Sequence, residues 1–170
     1  MSDSINELNA DLFGGAPADD EPGLDPKAAR KKAMDFLARR EYGREELIGR
    51  LKAGGFDAVI AEDAVARLAE EGLQDDVRFA GNFASAKLGR GTGPLRIRQA
   101  LIEKGLRESV ADDALDELDA DWDQQAREVR LKKFGEDIPS DFKEKARQMR
   151  FLQYRGFDHD QIRAAMREQD

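Results

Sequence analysis

Hydrophobic residues recur along this chain at intervals of three and four, the period of helices that bury one face. Three times the pattern ends in the same way: Leu51 runs into Gly55-Phe56, Leu101 into Gly105-Leu106 and Leu152 into Gly156-Phe157, at offsets of about 50 residues. In each copy an aliphatic helix precedes the glycine, which supplies a left-handed stop, and another helix follows it. Asp25-Pro26 opens the first helix with an N-cap and a proline at the first helical position, and Ala29, Ala33, Phe36 and Leu37 form its apolar stripe. A second helix carries Leu47, Ile48 and Leu51; a third starts near Asp57, carries Ile60, Ala64 and Leu68, and stops at Gly72.

The middle copy repeats this with Phe79, Phe83 and Leu88, then Ile97, Leu101 and Ile102 after a helix start at Gly93-Pro94, then Val110, Ala114, Leu115 and Leu118. The last copy opens on Trp122, Ala126 and Val129, and the pairs Asp121/Gln124, Asp141/Glu144 and Asp158/Gln161 predict capping boxes. Valine and isoleucine nowhere alternate over the length of a strand, so the fold class is all-α. Nine helices are expected in three triplets, over 26–72, 73–119 and 120–170, with Leu73–Asp76 and Leu118–Asp121 as acidic junctions. A repeat that cannot bury its face alone stacks on its neighbours, which predicts an elongated, curved solenoid with long binding surfaces. Residues 1–25, rich in acids, Gly and Pro, read as a disordered tail, although Ile5, Leu8, Leu12 and Phe13 fit a short amphipathic turn.

Charge changes this picture in one respect. The formal net charge is −8, but residues 1–26 hold seven acids and no Lys or Arg, which leaves the rest of the chain at −1. Within that near-neutral body, residues 87–106 carry Lys87, Arg90, Arg96, Arg98 and Lys104 against the single acid Glu103. The helix from Pro94 is therefore expected to bury Ile97, Leu101 and Ile102 and to offer cations elsewhere, with Arg90, Arg96 and Arg98 as one face. Basic residues recur near the same landmark in the other copies, as Arg39, Arg40 and Arg44 and as Arg147, Arg150 and Arg155. A row of this kind suits phosphate or a carboxylate-rich protein groove.

Candidate chemistry adds little. With no cysteine and one histidine, thiolate nucleophiles, sulfur-ligated metals and His-based catalysis have almost nothing to work with. His159 between Asp158 and Asp160 reads as a capped surface turn. Adjacent acids such as Asp112-Asp113 diverge around a helix and do not form a catalytic pair. Gly89-Arg-Gly-Thr-Gly-Pro94 lacks the Lys-Ser or Lys-Thr and the preceding strand of a phosphate-binding loop, so it is expected to be a flexible connector. Neither a metal nor a cofactor is expected, and no apolar run approaches the roughly 20 residues that span a bilayer. A cytoplasmic location follows.

Several of these residues also carry a resemblance. Arg39-Arg40-Glu41-Tyr42 with Arg44-Glu45-Glu46-Leu47, Leu73…Asp76…Arg78-Phe79-Ala80, Gly93-Pro94…Ile97-Arg98…Leu101…Lys104-Gly105, and Arg150-Phe-Leu-Gln-Tyr-Arg-Gly-Phe157 resemble, in order and spacing, the RecX family of recombination regulators. Gly43 stands where that family usually shows a Ser or Thr cap, and Leu95 where a basic residue is frequent. The resemblance implies a monomeric, non-enzymatic, three-repeat protein that settles in the groove of the RecA–DNA filament. It further implies inhibition of filament extension, ATP hydrolysis, strand exchange and the coprotease activity behind the SOS response. Some members also touch single- or double-stranded DNA, and a stand-alone DNA-binding protein built of helix-turn-helix-like repeats is the alternative.

Overall fold

The computed structural model describes residues 21–167. Over that span the chain forms α1 (Pro26–Leu37), α2 (Arg44–Ala53), α3 (Ala58–Glu70), α4 (Asp76–Gly89), α5 (Pro94–Glu103), α6 (Glu108–Glu117), α7 (Trp122–Phe134), α8 (Phe142–Arg155) and α9 (His159–Ala165). Among the described residues there is no strand. The helices group as three triplets, each led by α1, α4 or α7.

The recurrent Leu…Gly-apolar signature is a helix stop built three times. Gly55, Gly105 and Gly156 adopt φ of 95°, 86° and 99°, and the next residue's N–H donates back to the carbonyl of the leucine five positions earlier, at 3.2 Å in every copy. The returning residue, Phe56, Leu106 or Phe157, lands on the apolar face of its own triplet. One local motif thus ends the middle helix and seals the core beneath it.

Each triplet also closes a core of its own, which differs from the expectation that a single repeat cannot bury its face. Ala29, Ala33, Leu47, Leu51, Val65 and Leu68 centre the first, and Ala80, Ala84, Ile97, Leu101 and Ala111 the second. Ala126, Leu152, Phe157 and Ala165 centre the third, and every substantial helix–helix packing contact lies within one triplet. Alanine on the leading helix makes this possible, because small residues let three short helices approach closely enough to leave no gap. Trp122 is the exception, packing against both the second and third cores.

The triplets meet instead through the ends of their middle helices. The α2 start at Gly43 meets the α5 end, where a Cβ on Gly105 would stand 2.7 Å from that of Glu45. The α5 start at Gly93 meets the α8 end: Gly93 N–H donates to the Arg155 carbonyl (2.7 Å) and Leu95 N–H to the Gly156 carbonyl (3.0 Å). At the far end, Pro22–Leu24 form a short 3-10 turn, and Gly23 seats on the α2 stop, its carbonyl accepting from Asp57 N–H at 2.9 Å. Residues 21–25 therefore pack with the first triplet, while the tail expected over 1–25 otherwise lies outside the described residues.

Two further local expectations are corrected. Asp121 and Asp141 cap their helices by accepting from Gln124 and Glu144 N–H, but the reciprocal half of the box exists only at Asp158/Gln161. The 89–94 loop is not a flexible connector. Arg155 donates from Nη2 to the Arg90 carbonyl (2.6 Å) and from Nε to the Gly91 carbonyl (3.2 Å), clasping the loop from the third triplet.

Candidate cationic cleft between the second and third triplets

Two helix starts are capped from across a joint. Asp25, Asp57, Asp75, Asp121, Asp141 and Asp158 cap their helices with their own carboxylates, whereas Gly43 and Gly93 have no side chain to do so. The next triplet does it for them. Asp76 Oδ1 accepts from Arg44 N–H at 2.8 Å, and the Gly156 carbonyl accepts from Leu95. Glycine is needed at position 93 because a Cβ there would lie 2.3 Å from the carbonyl carbon of Gly156.

At the first joint Arg40, Lys104 and Arg78 are paired with carboxylates. Arg40 Nη2 bonds Glu46 at 2.6 Å and stacks on Tyr42, with its guanidinium carbon 3.6 Å from the ring centroid; Lys104 lies 3.8 Å from the same Glu46. Burial pulls the Glu46 carboxyl up, but the Arg40 hydrogen bond and the charges of Lys104, Arg40 and Arg50 outweigh it and hold the group below its ordinary value. Arg78 bonds Glu41 at 2.6 Å, and Gln74, only 3% exposed, donates to the Tyr42 carbonyl and to Asp76.

The second joint is different. Between α4 and α7, with α8 as its floor, lies an open cleft of about 890 Å³. Leu88, Val129 and Phe151 supply apolar surface; Arg90, Lys132, Lys133 and Arg155 supply charge, against the single acid Glu128. Lys133 Nζ and the Arg155 guanidinium stand 5.8 and 5.9 Å from the Phe151 ring centroid. Among the described residues no carboxylate lies within ion-pairing distance of Arg90, Lys132, Lys133 or Arg155. Beside it, the exposed α8 face presents Arg147, Arg150 and Tyr154, and Arg96 lies 4.5 Å over the Tyr154 ring while bonding its carbonyl at 2.6 Å.

The eleven residues expected from sequence thus divide. Arg90 and Arg155 line the cleft, Lys87 sits one turn before Arg90 over Phe83, and Arg147 and Arg150 adjoin on α8. Arg39, Arg40, Arg44 and Lys104 belong to the first triplet or the first joint. The supposed face of Arg90, Arg96 and Arg98 is not one surface. Arg98 is held by Asp112 at 2.6 Å and Glu108 at 3.0 Å, whose hydrogen bonds push its pKa up, and Arg96 is tied to Tyr154.

Lys132 and Lys133 were missed. Residues 126–133 carry Arg127, Arg130, Lys132 and Lys133 against Glu128, a second local excess of charge that a window count would have revealed. No helix among the described residues is long and apolar enough to cross a membrane.

Comparison with known proteins accounts for the whole body. Family models described as the first, second and third three-helix domains of RecX match residues 29–68, 75–115 and 119–166. A protein named regulatory protein RecX from Halorhodospira halophila is 44% identical over 145 residues, covering 85% of this chain and 90% of its own length. One of the same name from Pseudomonas fluorescens is 45% identical over 135 residues, covering 79% and 87%. Two RecX crystal structures share the fold. One superposes with a TM-score of 0.72 at 22% identity, over 82% of this chain and 70% of that one. The other, from Lactobacillus salivarius, gives 0.71 at 18%, over 83% and 94%. With three domain models in order and this identity over most of its length, the chain belongs to the RecX family of regulatory proteins.

Proposed function

We propose that this protein acts as a monomer on a RecA recombinase filament, lying in the filament groove and limiting its extension, ATP hydrolysis, strand exchange and coprotease activity. It does so by binding and catalyses no reaction of its own. Family membership supports the partner. The cleft at the second joint supports the surface, because four cations beside an apolar floor, with one acid among the lining residues, suit a carboxylate- or phosphate-bearing groove.

The test is RecA-catalysed ATP hydrolysis on single-stranded DNA, followed with increasing amounts of this protein. The wild type is expected to suppress turnover, and Arg90→Glu/Lys132→Glu/Lys133→Glu to lose that suppression while keeping its helical circular dichroism. No suppression by the wild type at saturating concentration refutes the function; full suppression by the folded triple variant refutes the surface.

A second reading, direct DNA binding, is favoured by one observation. Tyr154 is 71% exposed, with one ring face against Arg96, with Arg150 one turn away on α8 and with Arg147, which also bonds Glu144, two turns away, an arrangement on which a nucleobase can stack. Binding of a thymidine oligonucleotide without RecA, falling steeply with salt and weakened by Tyr154→Ala, is its signature.

A further inference from the structure

The third triplet breaks a rule that the other two obey. On the leading helix the first triplet buries Ala29 and Ala33 and the second Ala80 and Ala84, but the third buries Ala126 and Arg130. On the middle helix Leu47 and Ile97 precede the terminal leucines Leu51 and Leu101 by four residues, and Gln148 stands there before Leu152. Two apolar core positions have become an arginine 2% exposed and a glutamine 4% exposed, which face each other: Arg130 Nη1 donates to Gln148 Oε1 at 3.3 Å.

The remaining acceptors of Arg130 are also uncharged, the carbonyls of Asp137 at 3.3 Å and Glu136 at 3.1 Å, and its Nε has no partner. Burial accordingly pulls its pKa below the ordinary arginine value. Four arginines nearer the surface are treated in the opposite way. The exposed Arg40 and Arg78 and the half-buried Arg30 and Arg98 each hold a carboxylate at 2.6 or 2.7 Å, while the one arginine buried among the described residues has none in reach. A buried cation that lacks a counter-charge is destabilising unless something supplies one.

Arg130 opens onto a recess of about 700 Å³ that Arg127 and Arg167 also line, with Leu131, Glu136, Asp137 and Ile138. Arg127 repeats the pattern: it donates to Gln124 Oε1 at 2.8 Å and the Ala164 carbonyl at 3.3 Å, and among the described residues its Nε has no partner and no carboxylate is in ion-pairing reach. Glu136 and Asp137 are exposed, and neither carboxylate comes within 4.0 Å of these guanidinium groups. The recess lies on the face of α7 opposite the cleft residues Gln125, Val129 and Lys132, so it is a separate feature.

We propose that this recess is an anion site that takes a phosphate group, held by the Arg127, Arg130 and Arg167 guanidinium groups. Three planar donor forks around one pocket suit a tetrahedral dianion, which accepts several hydrogen bonds at once. The site is independent of the partner proposed above, and it gives the polar pair Arg130–Gln148 a role that core packing does not.

The test uses the full chain, with phosphate, pyrophosphate or sodium chloride at matched ionic strength, read by calorimetric titration and by melting temperature. Pyrophosphate is expected to bind one per chain and to raise the melting temperature where chloride does not. Arg127→Gln/Arg167→Gln should weaken binding by about tenfold or more, the scale of one lost charge-assisted hydrogen bond. Arg130→Met should abolish it, and since that variant alters the core, the double variant decides if Arg130→Met fails to fold. Lys132→Gln/Lys133→Gln should change nothing. A 5′-phosphorylated oligonucleotide compared with its unphosphorylated form separates a nucleic-acid end from free phosphate as the source, and either pattern supports the site. Equal responses to phosphate and chloride overturn the proposal, as does undiminished binding by the folded double variant. A phosphate response that appears only after residues 168–170 are deleted also overturns it, because the chain's own carboxylates then fill the recess.

Discussion

The two joints between triplets use the same ends of the same helices and are held in different ways. The first relies on side chains: Asp76 caps Arg44, Gln74 reaches Tyr42, and Glu41 and Glu46 take up Arg78, Arg40 and Lys104. The second relies on backbone, with Gly93 and Leu95 bonded to the carbonyls of Arg155 and Gly156, and its arginines donate to carbonyls rather than carboxylates. A carboxylate neutralises a cation; a carbonyl only positions it. The first joint therefore pairs Arg40, Lys104 and Arg78 internally, and the second leaves its cations without a carboxylate among the described residues while fixing where Arg96 and Arg155 sit.

The sharpest way to break this contrast is through the glycines. Gly93→Ala would drive a Cβ into Gly156, and Gly156→Ala would add one 2.4 Å from the Arg96 Cβ at a φ that disfavours any side chain. Each is expected to cost about 3 kcal/mol, loosening the third triplet from the second, as read by urea unfolding. Gly43→Ala, the counterpart of Gly93→Ala at the first joint, would press on the flexible Leu106 Cδ1 at 3.3 Å and make ordinary contact with Asp76 and Phe79 at 3.7 Å, and its expected cost is below about 1 kcal/mol. Equal costs for Gly43→Ala and Gly93→Ala would remove the distinction between the two helix starts.

Charge gives the next contrast. Reversal of Arg90, Lys132 and Lys133 is expected to lower suppression of the recombinase by more than about tenfold with little change in stability. Arg40→Glu/Lys104→Glu should do the reverse, because these groups contribute to the joint and not to an open surface. Asp76→Ala, which uncaps α2 from across the joint, should cost about 1 kcal/mol in chemical unfolding, the usual value of a lost cap.

The smallest expected effect depends on pH. Hydrogen bonding to Arg98 holds the Asp112 carboxyl below its ordinary value, so its contribution is complete above about pH 4, the unfolded value, and is lost as pH falls through the lowered folded one. Melting temperatures of the wild type and Asp112→Asn should differ slightly at pH 7 and converge at the acid end. A gap that persists there would assign the effect to packing.

Much of the fold was legible because one local motif carries it. A leucine, a left-handed glycine and a returning apolar residue can be read from three letters at fixed spacing, and so can Asp caps and alanine-lined helices. The site was less legible, since sequence shows where cations lie but not what neutralises them. Arg98 and Lys104 looked available until Asp112, Glu108 and Glu46 came beside them, the first two along the chain and the last from another triplet. Arg155 looked like a binding residue and clasps a loop more than 60 positions away. Lys132 and Lys133 acquire meaning only once α7 faces α4.

The borrowed caps also set an order of assembly. Arg44 N–H waits for Asp76, and Leu95 N–H waits for the Gly156 carbonyl, so α2 and α5 each begin before the residue that completes them has been translated. As the chain leaves the ribosome, the first triplet can close its core alone, yet the start of α2 stays bonded to water until the second triplet emerges. The start of α5 waits in the same way for the third. Completion therefore runs backwards along the array, the second triplet finishing the first and the third the second, and the charged cleft comes into being only once α7 and α8 have been made.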